Sequence, residues 1–410
     1  MNDQPQHIPI AKPWIDDAEI AAVTEVLRSG WVTQGPQVSA FEKEFAAWVD
    51  APYACAVSSC TTALHLALKA VGVSSGDEVI TVSHSFIATA NSILYCGAVP
   101  VFIDIDSSTY NMDPSLIAAA VGPKTRAILC VHQMGMPCDL TRIVATSRRL
   151  GLPLIEDAAC AAGSSIYWMN EWQRIGRPHG DVACFSFHPR KMLVTGDGGM
   201  LTTASPDYDR KFRLWRQHGM SVNDAKRHAS DQVVIESYEC LGYNYRMTDM
   251  QAAMGRIQLK KMDDMVKRRR EQVQRYRMLL ENQPDITLPV EPEWAQSNWQ
   301  SYCLCLKPPR SSLQIMQYLL ERGISTRPGI MCSHREPALM AHSWRCAHAH
   351  PPADGLANSR ADLARSEYAR DYGLILPLHH HLTALEQERV AVESEVLPQT
   401  QICPGRYFQI

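Results

Sequence analysis

Lys191 is the residue whose surroundings best suit covalent chemistry. It follows an apolar stretch, Asp181 to Phe187, and precedes a glycine-rich turn at 195–199 that leads into another apolar stretch. In α/β proteins, ligands meet side chains where parallel strands end beside such turns. A lysine that loses its proton through desolvation there can form a Schiff base with an aldehyde. Because most lysines are solvated, this feature alone predicts little.

Two further segments carry polar groups beside apolar runs. Asp157 closely follows the run Pro153 to Ile155 and could pair with a buried cation, although an aspartate here is also a common helix N-cap. The segment Ser58 to Thr62 lies between an apolar run and a helical pattern. Backbone N–H groups and hydroxyls at a helix start form a phosphate site, whereas an ordinary N-cap needs only one hydroxyl.

The three features follow one another in the order phosphate turn, aspartate, lysine, over about 130 residues. Pyridoxal phosphate needs all three, because its phosphate must be anchored, its aldehyde needs an amine, and its ring accepts electrons only while the pyridine nitrogen stays protonated. The conjunction therefore predicts a pyridoxal-phosphate enzyme of fold type I.

The elements that would position these groups are short apolar runs that alternate with helical patterns. Runs such as Glu78 to Val82 and Ala127 to Val131 are apolar on both faces, which is typical of buried parallel strands. The alternation predicts a large α/β domain, residues 1–250, with a mostly parallel seven-stranded sheet. Residues 251–410 are predicted to form a long connecting helix, Met250 to Leu280, and a small C-terminal α+β domain. Residues 343–360 have the composition of a loop.

Composition narrows the classes of function. The 410 residues include 40 Lys and Arg against 43 Asp and Glu, and this net charge of −3 argues against a nucleic-acid binder that relies on many phosphate contacts. No signal peptide or membrane span is predicted, so we expect a cytoplasmic protein without a membrane partner. The 13 scattered cysteines are predicted to be reduced. No metal site is predicted, since adjacent histidines at 379–381 would diverge on a strand or loop.

Several motifs together resemble one family, the DegT/DnrJ/EryC1/StrS aminotransferases. The resemblance runs from about residue 10 to about residue 395 and includes six segments in order. They are Ser29 to Pro36, Gly76 to Ile80, Phe86 to Asn91, Glu156 to Ala159, Ser186 to Lys191 and Gly242 to Met247. The family implies fold type I, pyridoxal 5′-phosphate and transfer of an amino group.

The resemblance also implies roles for single residues. Lys191 would hold the cofactor as a Schiff base and move the proton during transfer, and Asp157 would pair with the pyridine nitrogen. Phe86 matches an aromatic ring that stacks on the cofactor. The other implied cofactor contacts are Ser59, Cys60, Thr61, Cys160, Ser186, His188 and Asn244. In the family, the asparagine at the position of Asn244 reaches the phosphate of the neighbouring subunit, so a homodimer with two shared sites is implied.

Two cysteines depart from the family pattern. Cys60 replaces the usual glycine of the phosphate turn, where the backbone must approach the phosphate closely, and Thr62 nearby replaces a common alanine. Cys160 replaces a glutamine or histidine that contacts the cofactor's ring oxygen or the substrate, and a thiol is a poorer hydrogen-bond donor. Because Lys191 and Asp157 are retained, transamination is still expected.

The expected reaction moves an amino group from L-glutamate or L-glutamine to a keto-sugar, with a nucleotide-linked sugar preferred. A keto-cyclitol or another non-nucleotide ketone is an alternative acceptor. A dehydratase is disfavoured because dehydratases of this family replace the lysine with histidine, and a non-catalytic regulator because the basic run at 267–270 lies inside the domain. Arg327 and His334 could meet a phosphate or carboxylate, or could be a surface arginine and a loop histidine. The substrate residues implied by the resemblance are Trp31, Gln34, Gly35, Arg327 and His334.

Overall fold

The structure, a computed structural model, describes residues 7–222, 230–346 and 363–395. Residues 347–360 of the predicted loop 343–360 lie outside this range. The helices are α1 Asp17–Ser29, α2 Pro36–Val49, α3 Cys60–Ala70, α4 Ala88–Tyr95, α5 Ile117–Ala120, α6 Leu140–Leu150, α7 Pro206–Trp215, α8 Asp249–Leu280, α9 Ser312–Glu321, α10 Pro337–Met340, α11 Ala364–Tyr372 and α12 Ala384–Glu395. The strands are β1 Tyr53–Val57, β2 Glu78–Val82, β3 Val99–Ile103, β4 Thr125–Val131, β5 Leu154–Asp157, β6 Ser165–Trp168, β7 Glu171–Arg174, β8 Val182–Ser186, β9 Gly199–Thr203, β10 Ile286–Thr287, β11 Ala295–Gln296, β12 Tyr302–Leu306, β13 Arg327–Pro328, β14 Arg345–Cys346 and β15 Gly373–Leu376.

Local side-chain chemistry explains where key helices begin and end. Asp16, Ser59 and Thr248 cap the N-termini of α1, α3 and α8, each as part of a capping box. Such caps satisfy backbone N–H groups that have no partner inside the helix. At the other end of α1, Gly30 adopts φ 75°, a left-handed conformation that favours glycine.

The main sheet has eight strands in the order β1-β9-β8-β5-β4-β2-β3-β14. All neighbours from β8 to β14 pair in parallel, and β9 runs antiparallel to both β1 and β8. The sequence predicts seven strands, and all seven are present. The eighth, β14, comes from the C-terminal part of the chain and has two residues, too few to give a strand pattern in the sequence.

Apolar layers cover both faces of this sheet. On one face, aromatic rings of α2 pack against β8, as in the Phe45–Phe185 contact with centroids 5.0 Å apart, and Met262 of α8 joins the same buried cluster. On the other face, α3 buries Leu64 and Leu68. A sheet covered on both sides has near-continuous apolar strands, which is why its strands could be recognised in the sequence.

The C-terminal part contains a second, antiparallel sheet in the order β10-β12-β15-β13. It packs with α8, α9 and α12 around its own core, which includes Tyr276, Tyr302 and Leu319. A third sheet, β11-β6-β7, contains a hairpin that the sequence analysis did not predict. The predicted division at residue 250 remains a prediction. It places β14 in the small domain, although β14 pairs with the main sheet.

Polar contacts join the C-terminal part to the main sheet. Arg345 on β14 forms two hydrogen bonds with Glu78 of β2, of 2.9 and 2.7 Å. Asp104, just after β3, accepts backbone N–H groups of Arg365 and Ser366 at the start of α11. The Arg345 contact lies at the amino end of β2, whereas the Asp104 contacts hold the start of α11 beside the carboxyl end of β3.

Within the described ranges, no helix combines the length and apolarity needed to cross a membrane. The same residues contain no group of three or more His, Cys, Asp or Glu side chains that could hold a metal ion. The described cysteines are free thiols.

Candidate active site

The carboxyl ends of β4, β5 and β8 open into one cavity of about 620 Å³. Ligands bind at this edge in open α/β sheets. Residues of β13 and β15 contribute to its walls, so both sheets line it. Ten of the predicted site residues line this cavity, namely Ser59, Cys60, Thr61, Phe86, Asp157, Cys160, Ser186, His188, Lys191 and Arg327.

Asp157 is the last residue of β5 and is 5% exposed. Its carboxylate accepts hydrogen bonds from the Thr89 hydroxyl at 2.8 Å and the Ala159 N–H at 3.1 Å. Burial raises the pKa of the Asp157 carboxyl above its usual value, although both hydrogen bonds and the charge of Lys191 oppose the shift. No helix follows Asp157, so the N-cap interpretation of this residue is wrong.

Lys191 lies in the turn between β8 and β9, where its N–H donates to the His188 carbonyl. Its Nζ donates to the Sγ of Cys160 at 3.0 Å. Burial alone would lower the pKa of Lys191, but Cys160, Cys60 and Asp157 around it raise the pKa above its ordinary value. The free protein therefore stabilises the charged ammonium at this position.

The first residues of α3 have backbone N–H groups that find no acceptor within the helix. The Ser59 hydroxyl accepts the N–H of Thr62, and the Ser59 carbonyl accepts that of Ala63. The N–H groups of Cys60 and Thr61 precede any possible acceptor within the helix. Two N–H groups at a helix N-terminus form a site for a phosphate.

The Cys60 side chain does not block this helix start. Its Sγ lies 3.5 Å from the Cys184 carbonyl of β8, and Cys60 is 7% exposed, so the thiol points into the layer between α3 and the sheet. The close approach of β9 to the start of α3 instead depends on Gly199, the first residue of β9. A Cβ built there would lie 2.5 Å from the carbonyl carbon of Ser59.

The structure adds cavity residues that the sequence analysis did not identify. His132 follows β4, lines the cavity, and its Nε2 lies 3.0 Å from Glu156 Oε2. Gln300 lines the cavity and donates to the Arg190 carbonyl at 2.5 Å. The sequence signal for His132 was its place directly after an apolar strand, the same signal that pointed to Asp157.

Asn244 does not line this cavity, and its side chain is exposed. The neighbouring rings of Tyr243 and Tyr245 stack with centroids 4.8 Å apart, and the Tyr245 hydroxyl lies 3.1 Å from His65 Nδ1 on α3. The Tyr245 carbonyl accepts the N–H of Ser58, so this segment is attached directly behind the helix start. Asn244 is therefore not part of the cavity wall of its own chain.

Four of the five predicted substrate residues lie outside the lining of the cavity. The Trp31 indole donates to the Gln34 carbonyl, and the Gly35 N–H donates to Asp249 at the start of α8. His334 is 2% exposed and lies 2.6 Å from the Ser83 hydroxyl and 3.0 Å from a Glu367 oxygen. Arg327 is the predicted substrate residue that does line the cavity.

The described residues fit pyridoxal phosphate. Among them, no basic side chain forms an ion pair with the buried Asp157, which therefore suits the protonated pyridine nitrogen of the cofactor. The two N–H donors at the start of α3 suit its phosphate. Lys191 supplies a primary amine on the same cavity.

Comparison with known proteins agrees with this assignment. The DegT/DnrJ/EryC1/StrS aminotransferase family profile matches residues 13–394. The spore coat polysaccharide biosynthesis protein SpsC of Bacillus subtilis (strain 168) is 45% identical over 297 residues, 72% of this chain and 75% of SpsC.

Solved structures show the same fold. The aminotransferase TlmJ from Streptoalloteichus hindustanus is 32% identical, with a TM-score of 0.82 over 95% of this chain and 98% of TlmJ. Spr1654 from Streptococcus pneumoniae, in its PMP form, is 26% identical, with a TM-score of 0.84 over 95% of this chain and 98% of Spr1654. The predicted fold type I is confirmed, and the chain belongs to the DegT/DnrJ/EryC1/StrS family of pyridoxal-phosphate-dependent aminotransferases.

Proposed function

We propose that this aminotransferase moves the amino group of L-glutamate or L-glutamine to the ketone of a nucleotide-linked keto-sugar, with pyridoxal 5′-phosphate as its cofactor. The observation that carries the proposal is the convergence of Asp157, Lys191 and the free N–H groups of α3 on one cavity. Relatives in sugar pathways support the acceptor class, since SpsC is a polysaccharide biosynthesis protein.

Each residue has a distinct role in this proposal. Bound pyridoxal phosphate supplies a conjugated ring that accepts the electron pair released at the substrate carbon. The carboxylate of Asp157 would hold the proton on the pyridine nitrogen, because the negative charge of Asp157 is buried in the cavity wall. Lys191 takes and returns a proton at Nζ. Ser186 and the start of α3 would hold the phosphate, and Phe86, which lines the cavity and is 63% exposed, would cover the ring.

The positive charges of Arg327 and Arg190 favour the binding of an anionic substrate. Both line the cavity, and a guanidinium forms strong charge-assisted hydrogen bonds with phosphate and carboxylate. A dicarboxylate donor and a nucleotide diphosphate both present such groups. We therefore place substrate recognition on the side of the cavity that these arginines line.

The proposed assembly is a homodimer with shared sites. Asn244 does not line the cavity of its own chain, but it lies on a segment that is hydrogen-bonded to the phosphate turn. A twofold axis near this segment would bring Asn244 to the partner's phosphate. We also propose a reducing, cytoplasmic location, which the free thiols of the described cysteines support.

Visible absorption tests the function. We expect the protein reconstituted with pyridoxal phosphate to be yellow, to lose the colour on addition of L-glutamate or L-glutamine, and to regain it with a nucleotide-linked keto-sugar. Lys191→Ala is the control and should lack the normal band. A protein that stays colourless after reconstitution contradicts the proposal. Colour that persists with both donors indicates a non-catalytic regulator, and colour that returns only with a keto-cyclitol indicates the alternative acceptor.

A further inference from the structure

The carboxylate of Asp157 lies at one end of a chain of hydroxyl groups in the cavity wall. The Thr89 hydroxyl, on α4, lies 2.8 Å from Oδ2 of Asp157, and the Ser85 hydroxyl lies 2.7 Å from Oγ1 of Thr89. Ser85 and Thr89 are both buried, and with Asp157 they line the cavity. The chain therefore runs within the cavity wall, from the end of β5 to the turn before α4.

The hydroxyl protons of Ser85 and Thr89 suit an ionised Asp157. A carboxylate only accepts hydrogen bonds, so the Thr89 proton goes to Asp157, and Thr89 Oγ1 then accepts the proton of Ser85. A proton on Oδ2 would reverse the chain, and the Ser85 proton would have no acceptor among the hydrogen bonds of the described residues. A proton on Oδ1 would displace the N–H of Ala159. The hydroxyl pair therefore favours the charged carboxylate over the neutral carboxyl, because a buried donor without a partner is costly.

Backbone hydrogen bonds hold both hydroxyl groups in place. The Thr89 N–H donates to the Phe86 carbonyl at 3.1 Å, and the Ser85 N–H donates to the Ser83 carbonyl at 2.9 Å. The Ser92 hydroxyl donates to the Thr89 carbonyl at 2.8 Å. Because Phe86 lies between the two hydroxyl residues in the chain, the same turn carries the residue proposed to cover the cofactor ring.

Other groups around Asp157 also influence its charge. Burial raises the pKa of the Asp157 carboxyl, whereas the Thr89 hydroxyl and the Ala159 N–H lower it. Lys191, in the turn after β8, and His132, directly after β4, lower the pKa of Asp157 as well.

Buried thiols on neighbouring elements face Asp157 too. Burial raises the pKa of Cys60, on α3, and of Cys184, on β8, well above the usual value. A hydrogen bond with Cys138, together with burial, does the same for Cys130 on β4. These thiols therefore remain uncharged near neutral pH. Since they are the same in every variant below, differences between variants report the hydroxyl pair.

We propose that the Ser85–Thr89 hydroxyl pair is a positioning device for Asp157, which stabilises its negative charge and fixes its carboxylate in the cavity wall. The role rests on the proposed function, because the charge of Asp157 would hold the proton on the pyridine nitrogen of the cofactor. Thr89 acts through Asp157, and Ser85 acts through Thr89. Neither role requires contact with the substrate.

The pH dependence of stability tests the pair in the apoprotein. We would measure the free energy of unfolding by denaturant titration from pH 4 to 9. Thr89→Val keeps the shape of the side chain but removes the hydroxyl, so the pKa of Asp157 should rise by about one unit. The loss of stability with rising pH should then extend about one pH unit higher than in the wild type. Thr89→Ser restores the hydroxyl and should restore the wild-type profile. Identical profiles for the wild type and Thr89→Val overturn the proposal, as does a Thr89→Ser profile that matches Thr89→Val.

Two comparisons separate the charge of Asp157 from general packing. Ser92→Ala removes a buried hydroxyl that bonds the Thr89 carbonyl rather than Asp157, so it should lower stability equally at every pH. In an Asp157→Asn background, Thr89→Val should also act equally at every pH, because the carboxyl that titrates is absent. A pH-dependent effect of Thr89→Val that persists in this background overturns the proposal.

The bound cofactor gives an independent readout. The nitrogen NMR shift of isotope-labelled pyridoxal phosphate reports whether the pyridine nitrogen carries a proton. We expect Thr89→Val to lower the pH at which this proton is lost by about one unit, and Ser85→Ala to lower it less, because Thr89 can still donate to Asp157. An unchanged midpoint in Thr89→Val overturns the proposal. If the wild type takes up no cofactor, the proposed function fails instead, and the apoprotein profiles still decide the role of the pair.

Discussion

Asp157 is a carboxylate that the fold buries at the end of β5, and its hydrogen-bond donors in the described part of the protein are two neutral groups, the Thr89 hydroxyl and the Ala159 N–H. Its raised pKa means that the folded apoprotein binds the carboxyl proton more tightly than the unfolded chain does. By linkage, stability then falls as the pH rises from the usual carboxyl pKa through the raised value, and the loss is complete above it. The charge that the cofactor needs therefore destabilises the empty site.

Replacement of this one charge should have opposite effects on stability and activity. We expect Asp157→Asn to raise the Tm of the apoprotein at pH 7–8 by a few degrees, since about 1 kcal/mol corresponds to about 2–4 °C in domains of moderate size. The gain should shrink as the pH falls toward the ordinary carboxyl pKa, because the raised pKa lets the folded wild type take up the Asp157 proton before the unfolded chain does. Activity should fall on the order of 10²-fold or more, because the protonated pyridine nitrogen would lose the electrostatic stabilisation that the Asp157 charge provides. Calorimetry across pH and steady-state kinetics check this, and a lower Tm at pH 8 contradicts it.

Sequence and structure agree most closely on the placement of residues whose position depends on their local segment. Lys191 and Asp157 were predicted because each follows an apolar strand, and strand ends lie at one edge of the sheet. The contact of Thr89 with Asp157 joins residues 68 positions apart and has no local pattern. The positions of Trp31 and His334 depend on packing between distant segments, so the sequence could not place them relative to the cavity.

The element that carries the phosphate site is the start of α3, which packs against the first residue of β9. Gly199→Ala would place a Cβ within 2.5 Å of the Ser59 carbonyl group, so the helix start must move. We expect a loss of about 1–3 kcal/mol of stability, typical of overpacking. Pyridoxal phosphate should bind about tenfold or more weakly, which corresponds to about 1.4 kcal/mol. Fluorescence titration with the cofactor and thermal unfolding measure the two effects.

Gly151→Ala is the matched control for this substitution. Gly151 has φ 65° and no neighbouring atom within 4 Å of an added Cβ, so its replacement strains only the backbone at the end of α6. This variant should lose stability but keep its affinity for the cofactor. If both variants weaken cofactor binding equally, the effect at Gly199 is one of general stability.

Elements that escaped prediction have weak local signals. The hairpin of β6 and β7 turns at Met169 and Asn170, with φ of 48° and 70°. A two-residue hairpin with positive φ at both positions is usually recognised by Asn-Gly or Asp-Gly, and methionine rarely adopts this conformation. The strand β14 exists only because Arg345 and Cys346 meet the edge of β3. Both elements are set by tertiary packing.

At the scale of the whole molecule, the shared-site dimer makes a quantitative prediction. We expect Lys191→Ala and Asn244→Ala proteins each to be inactive or severely impaired. In a mixed dimer, one site contains both substitutions. The other site contains the intact Lys191 of one subunit and the intact Asn244 of the other. Random mixing of equal amounts should therefore restore about one quarter of the wild-type sites.

Unfolding and refolding the two variants together, followed by an activity assay, measures this recovery. Each variant refolded alone is the control. If the mixture is no more active than the average of the two parents, Asn244 does not complete a site across subunits.

The edge strand β14 also has a consequence for synthesis of the chain. About 240 residues separate the end of β3 from Arg345, so the ribosome must add them before β14 can exist. At about 5–20 residues per second, this takes roughly 10–50 s. During that interval β3 presents unpaired backbone groups, the kind of edge to which a neighbouring chain can add. The last strand of the sheet thus covers an edge of β3 that stays open while about 240 further residues are synthesised.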